Sequence, residues 1–477
     1  MIGAWSLMIM PVRVITVAQM REWEKATWAS GQTEDAVMRR AGQAVAEHAQ
    51  RLTSPAERVL VLAGKGHNGE DAKYAAKFLA GRNVKVLQVL DPETAVKEFN
   101  AALKDSPALV IDGLFGIGLN RPLSGNWIRL IQEINQSSMP ILAVDVPSGL
   151  NADTGMPLND AIRAIVTVTI GAVKQGLLKM HAWPFVGRLE VAPDVGLIPY
   201  PFETELSFQI AEDFANYPPP RPVAGHKGTY GHVAIIAGSA GYHGAAVLAA
   251  RGAQRSQPGL ITLATQRAVY EPVASQLQAV MVRAWEAEPV LPDNCTAVLI
   301  GPGLASPDLP EAMRAFTRKL WQDSPLAIVI DASALDWLPP GGAKLPGIRV
   351  ITPHPGEAAR MLQTTNNEVQ NDRPHTLREL SRRFGHCYVV LKGHQTLIGQ
   401  DRERIVVNGS GNPLLAQGGS GDLLGGFIAG FLAQPELRKD PFLAIRYGVW
   451  AHGAAADKLS QTRQNWTVEE LSELLGS

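Results

Sequence analysis

Asp422 closes the glycine-rich stretch NGSGNPLLAQGGSGDLLGG, residues 408–426. The run before it, Arg404-Ile405-Val406-Val407, is strand-like, and Leu423 to Leu432 is apolar and helical in pattern. A glycine-rich turn between a strand and a helix N-terminus aims several backbone N–H groups one way, which binds phosphate without a dedicated cation. Gly418, Gly419 and Gly421 permit conformations and close approaches that a side chain would block. A carboxylate beside such an anion hole repels phosphate and makes a poor ligand. It is well placed to take a proton from a hydroxyl that attacks phosphorus. The plainer alternative is a helix cap, since Asp is favoured there. So many glycines before one Asp favour phosphoryl chemistry.

Other strand ends in the second half carry matching groups. Gly301-Pro302-Gly303, Thr352-Pro353-His354-Pro355-Gly356-Glu357 and Lys392-Gly393-His394-Gln395-Thr396 each follow an apolar run. Alone, each reads as a turn, a capping histidine or a solvated lysine. Together they predict a tight turn, a polar histidine and a phosphate-facing lysine around one cleft. In the first half, Gly64-Lys65-Gly66-His67-Asn68-Gly69-Glu70-Asp71, Gly116-Ile117-Gly118-Leu119 and Asp145-Val146-Pro147-Ser148-Gly149 also follow apolar runs. Two glycine turns suit a phosphate-bearing ligand and Asp145 suits acid/base work. Those spacings alone fit a generic set of α/β loops equally well.

The elements that position these loops alternate along the chain. Apolar runs such as RVLVLAG, ALVIDGLFG, GHVAIIAGS and LAIVIDAS alternate with helical segments, which predicts βαβ units and mainly parallel sheets. Ligands in such sheets bind beyond the carboxyl ends of the strands, where the polar clusters fall. The proline cluster Tyr217-Pro218-Pro219-Pro220-Arg221-Pro222 predicts a break. The expected division is 1–216, a linker at 217–224, and 225–477. A length of 477 residues fits two or three domains. Composition, 46% hydrophobic and 19% charged with a net charge of −1, describes a soluble globular protein with no global pull toward nucleic acid or membrane. Cys295 and Cys387 adjoin strand-like runs and read as buried free thiols in a reducing compartment. The apolar N-terminus lacks a basic region and a cleavage site, so no signal peptide is expected, and Met8 or Met10 is a candidate start. A cytoplasmic location follows.

The second half resembles the ADP- or ATP-dependent NAD(P)H-hydrate dehydratases, a branch of the ribokinase-like fold. TPHPGE, LKGHQT, GNPLLAQGGSGDLLGGFIAG and WAHGAAAD carry the resemblance over about residues 225–470. It implies that Lys392, Gly393, His394, Gln395 and Thr396 hold the nucleotide. Asn412, Pro413, Leu414, Leu415, Ala416, Gln417, Gly418, Gly419, Ser420 and Gly421 would share that task. Ala253, Gly303, His354 and Asp422 would face the hydrated nicotinamide nucleotide. Residues 15 to about 210 resemble the NAD(P)H-hydrate epimerase domain through DGLFGIGL, DVPSGLNADTG and TVTIGAVKQGLL. That resemblance implies a Rossmann-like three-layer α/β domain. Asn68, Asp112 and Ser148 would be oxygen ligands of K+. His67, Asn68, Gly69, Glu70, Asp71, the loop Gly116, Ile117, Gly118, Leu119, Asn120, Arg121 and Pro122, and Asp145 would bind the substrate.

Three places depart from the family pattern. Gln257-Pro258-Gly259 stands for Gly-Ala-Gly, and Asp331-Ala332-Ser333 for Asp-Ala-Asp. His67-Asn68-Gly69-Glu70-Asp71-Ala72 stands for Asn-Asn-Gly-Gly-Asp-Gly. Glu70 pointing inward would cost about 1–4 kcal/mol against a phosphate. Ala72 disfavours positive φ. The loop therefore predicts a weakened epimerase. The whole implies repair of hydrated NADH and NADPH. The first half interconverts the R and S hydrates. The second dehydrates the S hydrate with ADP, or alternatively ATP, and Mg2+, releasing AMP and phosphate when ADP is used. Asp422 would deprotonate the C6 hydroxyl, which attacks the terminal phosphoryl group. The rivals are a small-molecule kinase of the ribokinase-like class with an inactive N-terminal ligand-binding domain, and a binding protein that senses the ligand. Expected partners are small molecules and further copies of the chain, with no nucleic acid and no membrane.

Overall fold

The computed structural model describes residues 11–79 and 81–476. The expectations about Met8, Met10 and the apolar start lie outside the described residues. The chain divides into two compact units, Val12–Phe208 and one containing Gln209–Ser477. In the first, a six-stranded parallel sheet runs in the order Asn83–Gln88, Arg58–Ala63, Leu109–Gly113, Ile141–Val144, Val166–Ile170, Arg188–Ala192. Alternation along the strand Arg58–Ala63 builds the layers. Val59 and Val61 join one core with Val45 and Ala75 from the helices Glu34–Leu52 and His67–Phe78. Leu60 and Leu62 join another with Phe99 and Ile131 from Pro92–Leu103 and Gly125–Gln136. A strand buried on both faces needs a continuous apolar run, as RVLVLA is. This is the three-layer α/β domain expected. The strand order reverses between Arg58–Ala63 and Leu109–Gly113, which opens a crevice beyond their carboxyl ends.

In the second unit, parallel strands run in the order Met281–Trp285, Leu260–Gln266, His232–Ile236, Ala297–Ile300, Ala327–Ile330, Arg349–Ile351, Tyr388–Leu391. Leu397–Gly399 and Ile405–Asn408 extend the sheet antiparallel. Here the order reverses between His232–Ile236 and Ala297–Ile300. The helices His243–Arg255 and Ser420–Ala433 pack backbone to backbone. A Cβ on Gly426 would overlap the Ala249 carbonyl, and one on Gly252 the Leu423 carbonyl. Part of the glycine richness after Asp422 thus serves helix packing.

The division falls earlier than the proline cluster predicts. Residues before that cluster pack on the helix Pro441–Thr462. Gln209 Nε2 donates to Asn408 Oδ1 at 2.7 Å, and Arg446 Nη2 meets Asp213 Oδ2 at 3.1 Å. The Phe214 and Tyr217 rings both lie on Tyr447. These contacts hold 209–217 in the second unit, and the prolines belong to it. Both cysteines are buried and free. Among the described residues no helix is long and apolar enough to cross a membrane.

Candidate functional sites

The glycine turn of the second unit is built as a cradle. Gly419 holds φ +94°, a left-handed conformation that glycine adopts without strain, and the helix Ser420–Ala433 starts immediately after it. Asn412 braces the turn from below. Its Nδ2 donates to Asp457 Oδ1 at 3.1 Å, and its Oδ1 accepts from Leu414 N. Gly411 N donates to Asp457 Oδ2 at 2.9 Å. Gln417 Nε2 ties the turn to the carbonyls of Leu414 and Trp466. Asn412 and Gln417 are therefore struts, with Pro413–Leu415 as a single 3-10 turn between them. Lys392 to Thr396 follow the strand Tyr388–Leu391. Buried Arg373 donates to the carbonyls of Leu391, Lys392 and His394, which holds that backbone in place.

Asp422 sits in the first turn of its helix among other charges. Burial, then the negative charge of Asp331, push its carboxyl up to about 7; Lys392 pulls it down and Glu357 adds to the rise. Lys392 Nζ donates to Asp331 Oδ1 at 2.8 Å and lies 4.0 Å from Glu357 Oε2. It also lies 3.2 Å from where a Cβ on Gly421 would be. Burial favours a neutral Lys392, but Asp331, Glu357 and Asp422 outweigh it and raise its pKa. Thr352 Oγ1 donates to Asp331 Oδ1 at 2.7 Å, so Asp331 is held from two sides. The expected phosphate-facing lysine is thus an internal cation, paired with acids beside the anion hole.

His354 and Ala253 fall differently from expectation. His354 caps the helix Pro355–Leu362. Its Nδ1 accepts from Gly356 N and Glu357 N, and its backbone N–H donates to Glu357 Oε2 at 2.8 Å. Its ring remains half exposed, with Nε2 3.5 Å from Glu357 Oε1. Ala253 is fully buried, packed under Gly426 and Gly430 of the helix Ser420–Ala433. The alanine beside Gly303 is Ala245: a Cβ on Gly303, at φ +65°, would lie 2.8 Å from Ala245 Cβ. Ala245 sits at the switch point, two turns before Ala253 on the same helix.

The first unit gathers a second set. Lys174 is fully buried, and its Nζ donates to Asp145 Oδ1 and to the Ile170 carbonyl. Ile170 N and Thr169 Oγ1 also donate to Asp145 Oδ1, at 3.0 and 3.2 Å. Asp145 holds φ +63°, an uncommon conformation for Asp that these donors stabilise. Asp112 is fully buried. Ser148 Oγ donates to its Oδ1 at 2.6 Å and Ser148 N to its Oδ2 at 2.8 Å. Burial outweighs those bonds and lifts Asp112 to about 6. Asn68 Nδ2 donates to the Phe115 carbonyl, which Ser148 Oγ also reaches, so Asn68, Asp112 and Ser148 meet at one backbone turn. The loop Gly116 to Pro122 is largely open beside them.

The altered loop is benign in geometry. His67 to Glu70 form the first turn of the helix His67–Phe78, Asp71 follows them, and Ala72 is buried inside that helix. Its backbone is helical, so the expected need for positive φ does not arise. Glu70 Oε1 pairs with Lys73 Nζ at 2.8 Å along the surface. His67 pairs outward with Glu34. The inward acid of this segment is Asp71.

Sequence reading missed Lys174, Arg373, Glu357 and the bridging role of Asp331. Lys174 had a signal: it is the one charge in the matched motif TVTIGAVKQGLL. Asp457 closes the matched motif WAHGAAAD, whereas Arg373 had no signal, because its partners lie on a later strand and loop.

Two parallel α/β units, each with acids and a lysine at the carboxyl edge of its sheet and one with a glycine anion cradle, define an enzyme that handles nucleotides. A family model described as NAD(P)H-hydrate dehydratase matches residues 233–475, and one described as YjeF-related protein N-terminus matches 34–106 and 87–176. The bifunctional NAD(P)H-hydrate repair enzyme Nnr of Coxiella burnetii (strain RSA 493 / Nine Mile phase I) is 34% identical over 472 residues, covering 93% of this chain and 94% of that one. The enzyme of the same name from Escherichia coli (strain K12) is 32% identical over 452 residues, covering 89% and 85%. A crystal structure of ADP/ATP-dependent NAD(P)H-hydrate dehydratase from Bacillus subtilis, co-crystallized with ATP/Mg2+, is 32% identical, covers 54% of this chain and 91% of that chain, and has a TM-score of 0.48. The chain belongs to the family of bifunctional NAD(P)H-hydrate repair enzymes.

Proposed function

We propose that the Gln209–Ser477 unit dehydrates the S hydrate of NADH and NADPH with ADP, and that the Val12–Phe208 unit interconverts the R and S hydrates. The observation that carries the reading is Asp422, a carboxyl raised to about 7 in the first turn of a helix that begins at a left-handed glycine. Hydration of the nicotinamide ring leaves a hydroxyl at C6, a poor leaving group. Asp422 takes the hydroxyl proton as the oxygen attacks the terminal phosphoryl group. Backbone N–H groups of Gly418 to Gly421 face the charge that develops. AMP leaves as the phosphoryl group transfers. The ring-nitrogen lone pair then expels phosphate from C6, and loss of a proton from C5 to solvent restores the 5,6 double bond. A base near pH 7 suits this work, since it is ionised enough to act and basic enough to accept.

Two ions fit the residues present. Among the described residues no cluster of three or more His, Cys, Asp or Glu side chains is arranged to hold a metal. Mg2+ would therefore be carried on the nucleotide's phosphates, its common mode. Asn68, Asp112 and Ser148 would hold K+: Asn68 Nδ2 and Ser148 Oγ both reach the Phe115 carbonyl, and Asp112 is a buried carboxylate whose donors, Ser148 Oγ, Ser148 N and Leu114 N, are neutral. K+ would supply the missing positive charge. A cytoplasmic homo-oligomer completes the proposal, and sedimentation velocity tests the assembly.

The test is to mix the full chain with ADP, Mg2+, K+ and separated R and S hydrates while following reduced-cofactor absorbance. Prompt recovery from S, and slower recovery from R through S, is expected. Phosphorylated hydrate that accumulates without releasing phosphate would identify a kinase instead.

A further inference from the structure

Asp71 is the acid of the first unit that no partner explains. It follows the first turn of the helix His67–Phe78 and is 92% buried, the complement of its 8% exposure. Its Oδ1 is buried and has no hydrogen-bond partner among the described residues. A buried carboxylate oxygen without a donor is costly when ionised. The cost falls if the group is protonated, because it then carries no charge and has a proton to give. The surroundings push the same way. Burial comes first, then the negative charges of Asp145, Glu24 and Glu70, against the opposing pull of Lys174, and together they hold its pKa well above the usual carboxylate range.

Asp145 has the opposite environment. Thr169 Oγ1, Ile170 N and the buried Lys174 Nζ all donate to its Oδ1, so Asp145 is held by donors that Asp71 Oδ1 lacks. Both acids stand at the carboxyl edge of one sheet. Asp145 directly follows the strand Ile141–Val144, and the helix carrying Asp71 follows Arg58–Ala63, with the strand Leu109–Gly113 between the two. A carboxyl engaged by three donors beside one whose buried oxygen has none is an arrangement that assigns the first as proton acceptor and the second as proton donor.

We propose that Asp71 is a second catalytic carboxylate of this unit, the proton donor that works with Asp145 as acceptor. The proposal rests on the reading of this unit as the epimerase. At C6 the hydrated ring is a hemiaminal, one carbon bearing both the hydroxyl and the ring nitrogen. Asp145 takes the hydroxyl proton and the oxygen pair forms C=O. The C6–N1 bond breaks, its electron pair passes to N1, and N1 takes the proton of Asp71. Rotation of the resulting aldehyde presents its other face. Closure runs the steps backwards: N1 attacks C6, its proton returns to Asp71, and Asp145 returns its proton to oxygen. No atom or electron is gained or lost, and both acids end as they began.

The experiment uses the full chain with Asp71→Asn and Asp71→Glu. Interconversion of the R and S hydrates is followed by chromatography with K+ present, and ADP-dependent dehydration of the S hydrate in the same samples serves as internal control. Asp71→Asn should lower kcat for interconversion ~10²–10⁴-fold with little change in KM. Asp71→Glu should restore part of it, since it returns a transferable proton. Loss expressed in KM alone, or an Asn variant that keeps more than a third of the wild-type kcat, overturns the assignment. An Asn variant whose loss the Glu variant does not relieve, with a lowered melting temperature, also overturns it in favour of a structural role. A wild-type chain that interconverts no faster than buffer defeats the epimerase reading itself.

Discussion

Lys174, fully buried, and Lys392, partly exposed, are both ammonium groups held on an aspartate at the edge of a parallel sheet, and they differ in which aspartate they hold. Lys174 grips Asp145, the acid that the epimerase motif supplies. Lys392 grips Asp331 and leaves the motif acid Asp422 to titrate near neutrality. In the first unit the acid beside the lysine's partner, Asp71, is raised, as is buried Asp112; in the second it is Asp422. A motif names the acids of a site, and burial together with the charges around each acid sets which carboxyl is raised.

The largest effect that sharpens this contrast is separation of the two reactions. Asp422→Asn should reduce ADP-dependent dehydration ~10²–10⁴-fold while R-to-S interconversion persists. Asp145→Asn should do the reverse. Loss of dehydration of the pure S hydrate in the Asp145 variant would break the assignment of one acid to one reaction. Next in size is a stability difference between the lysines. Lys174→Met strands a buried carboxylate in its unit and should cost about 3–5 kcal/mol. Lys392 has several acids and partial exposure, so Lys392→Met should cost less. Thermal unfolding of the two variants gives the order, and equal melting temperatures would contradict it.

The pH profiles carry the next effects. Dehydration should rise with pH through about 7 as Asp422 loses its proton. Lys392 favours the carboxylate, so Lys392→Met should move this limb up by about one pH unit. Calorimetry should find ADP affinity little changed, because the ammonium is engaged by Asp331. Asp331→Asn removes a like charge and should move the limb down by less. Both variants shifting the same way would show that the three groups are not coupled as their spacing requires.

The sequence made the fold class legible because strands buried on both faces must be continuous apolar runs, and RVLVLA and AIVI are such runs. It also placed Asp422 in a first helical turn, since glycine before an apolar run is a local signal. It did not show where Lys392 points. That depends on Asp331, 61 residues away, carried to the same edge by the intervening strand pairings. Ala253 misled because an alanine in a helix reads the same whether it lines a cleft or packs under Gly426. The proline cluster misled because a lack of periodicity marks irregular chain, whereas the division was set by Gln209, Asp213 and Phe214 docking on one helix.

The smallest effect concerns the departure at 67–72. From residue types alone, replacing Glu70 and Ala72 by glycine should relieve a repulsive, stiff turn and speed R-to-S interconversion. The structure predicts no gain. Glu70 already turns away to Lys73, so its charge is spent on the surface, where an i,i+3 pair contributes about 0.2–0.5 kcal/mol. Ala72 is fully buried and helical, and its Cβ fills the space beside Gly113. Glycine there loses that packing and costs about 1 kcal/mol in helix propensity. The double variant should lower the melting temperature of this unit by about 2–8 °C, taking roughly 2–4 °C per kcal/mol for a domain of this size. Its interconversion rate at 25 °C should match the parent's within twofold. A clear acceleration would mean that Glu70 turns inward when substrate binds, and that the first turn, unlike the cradle around Asp422, is not preformed.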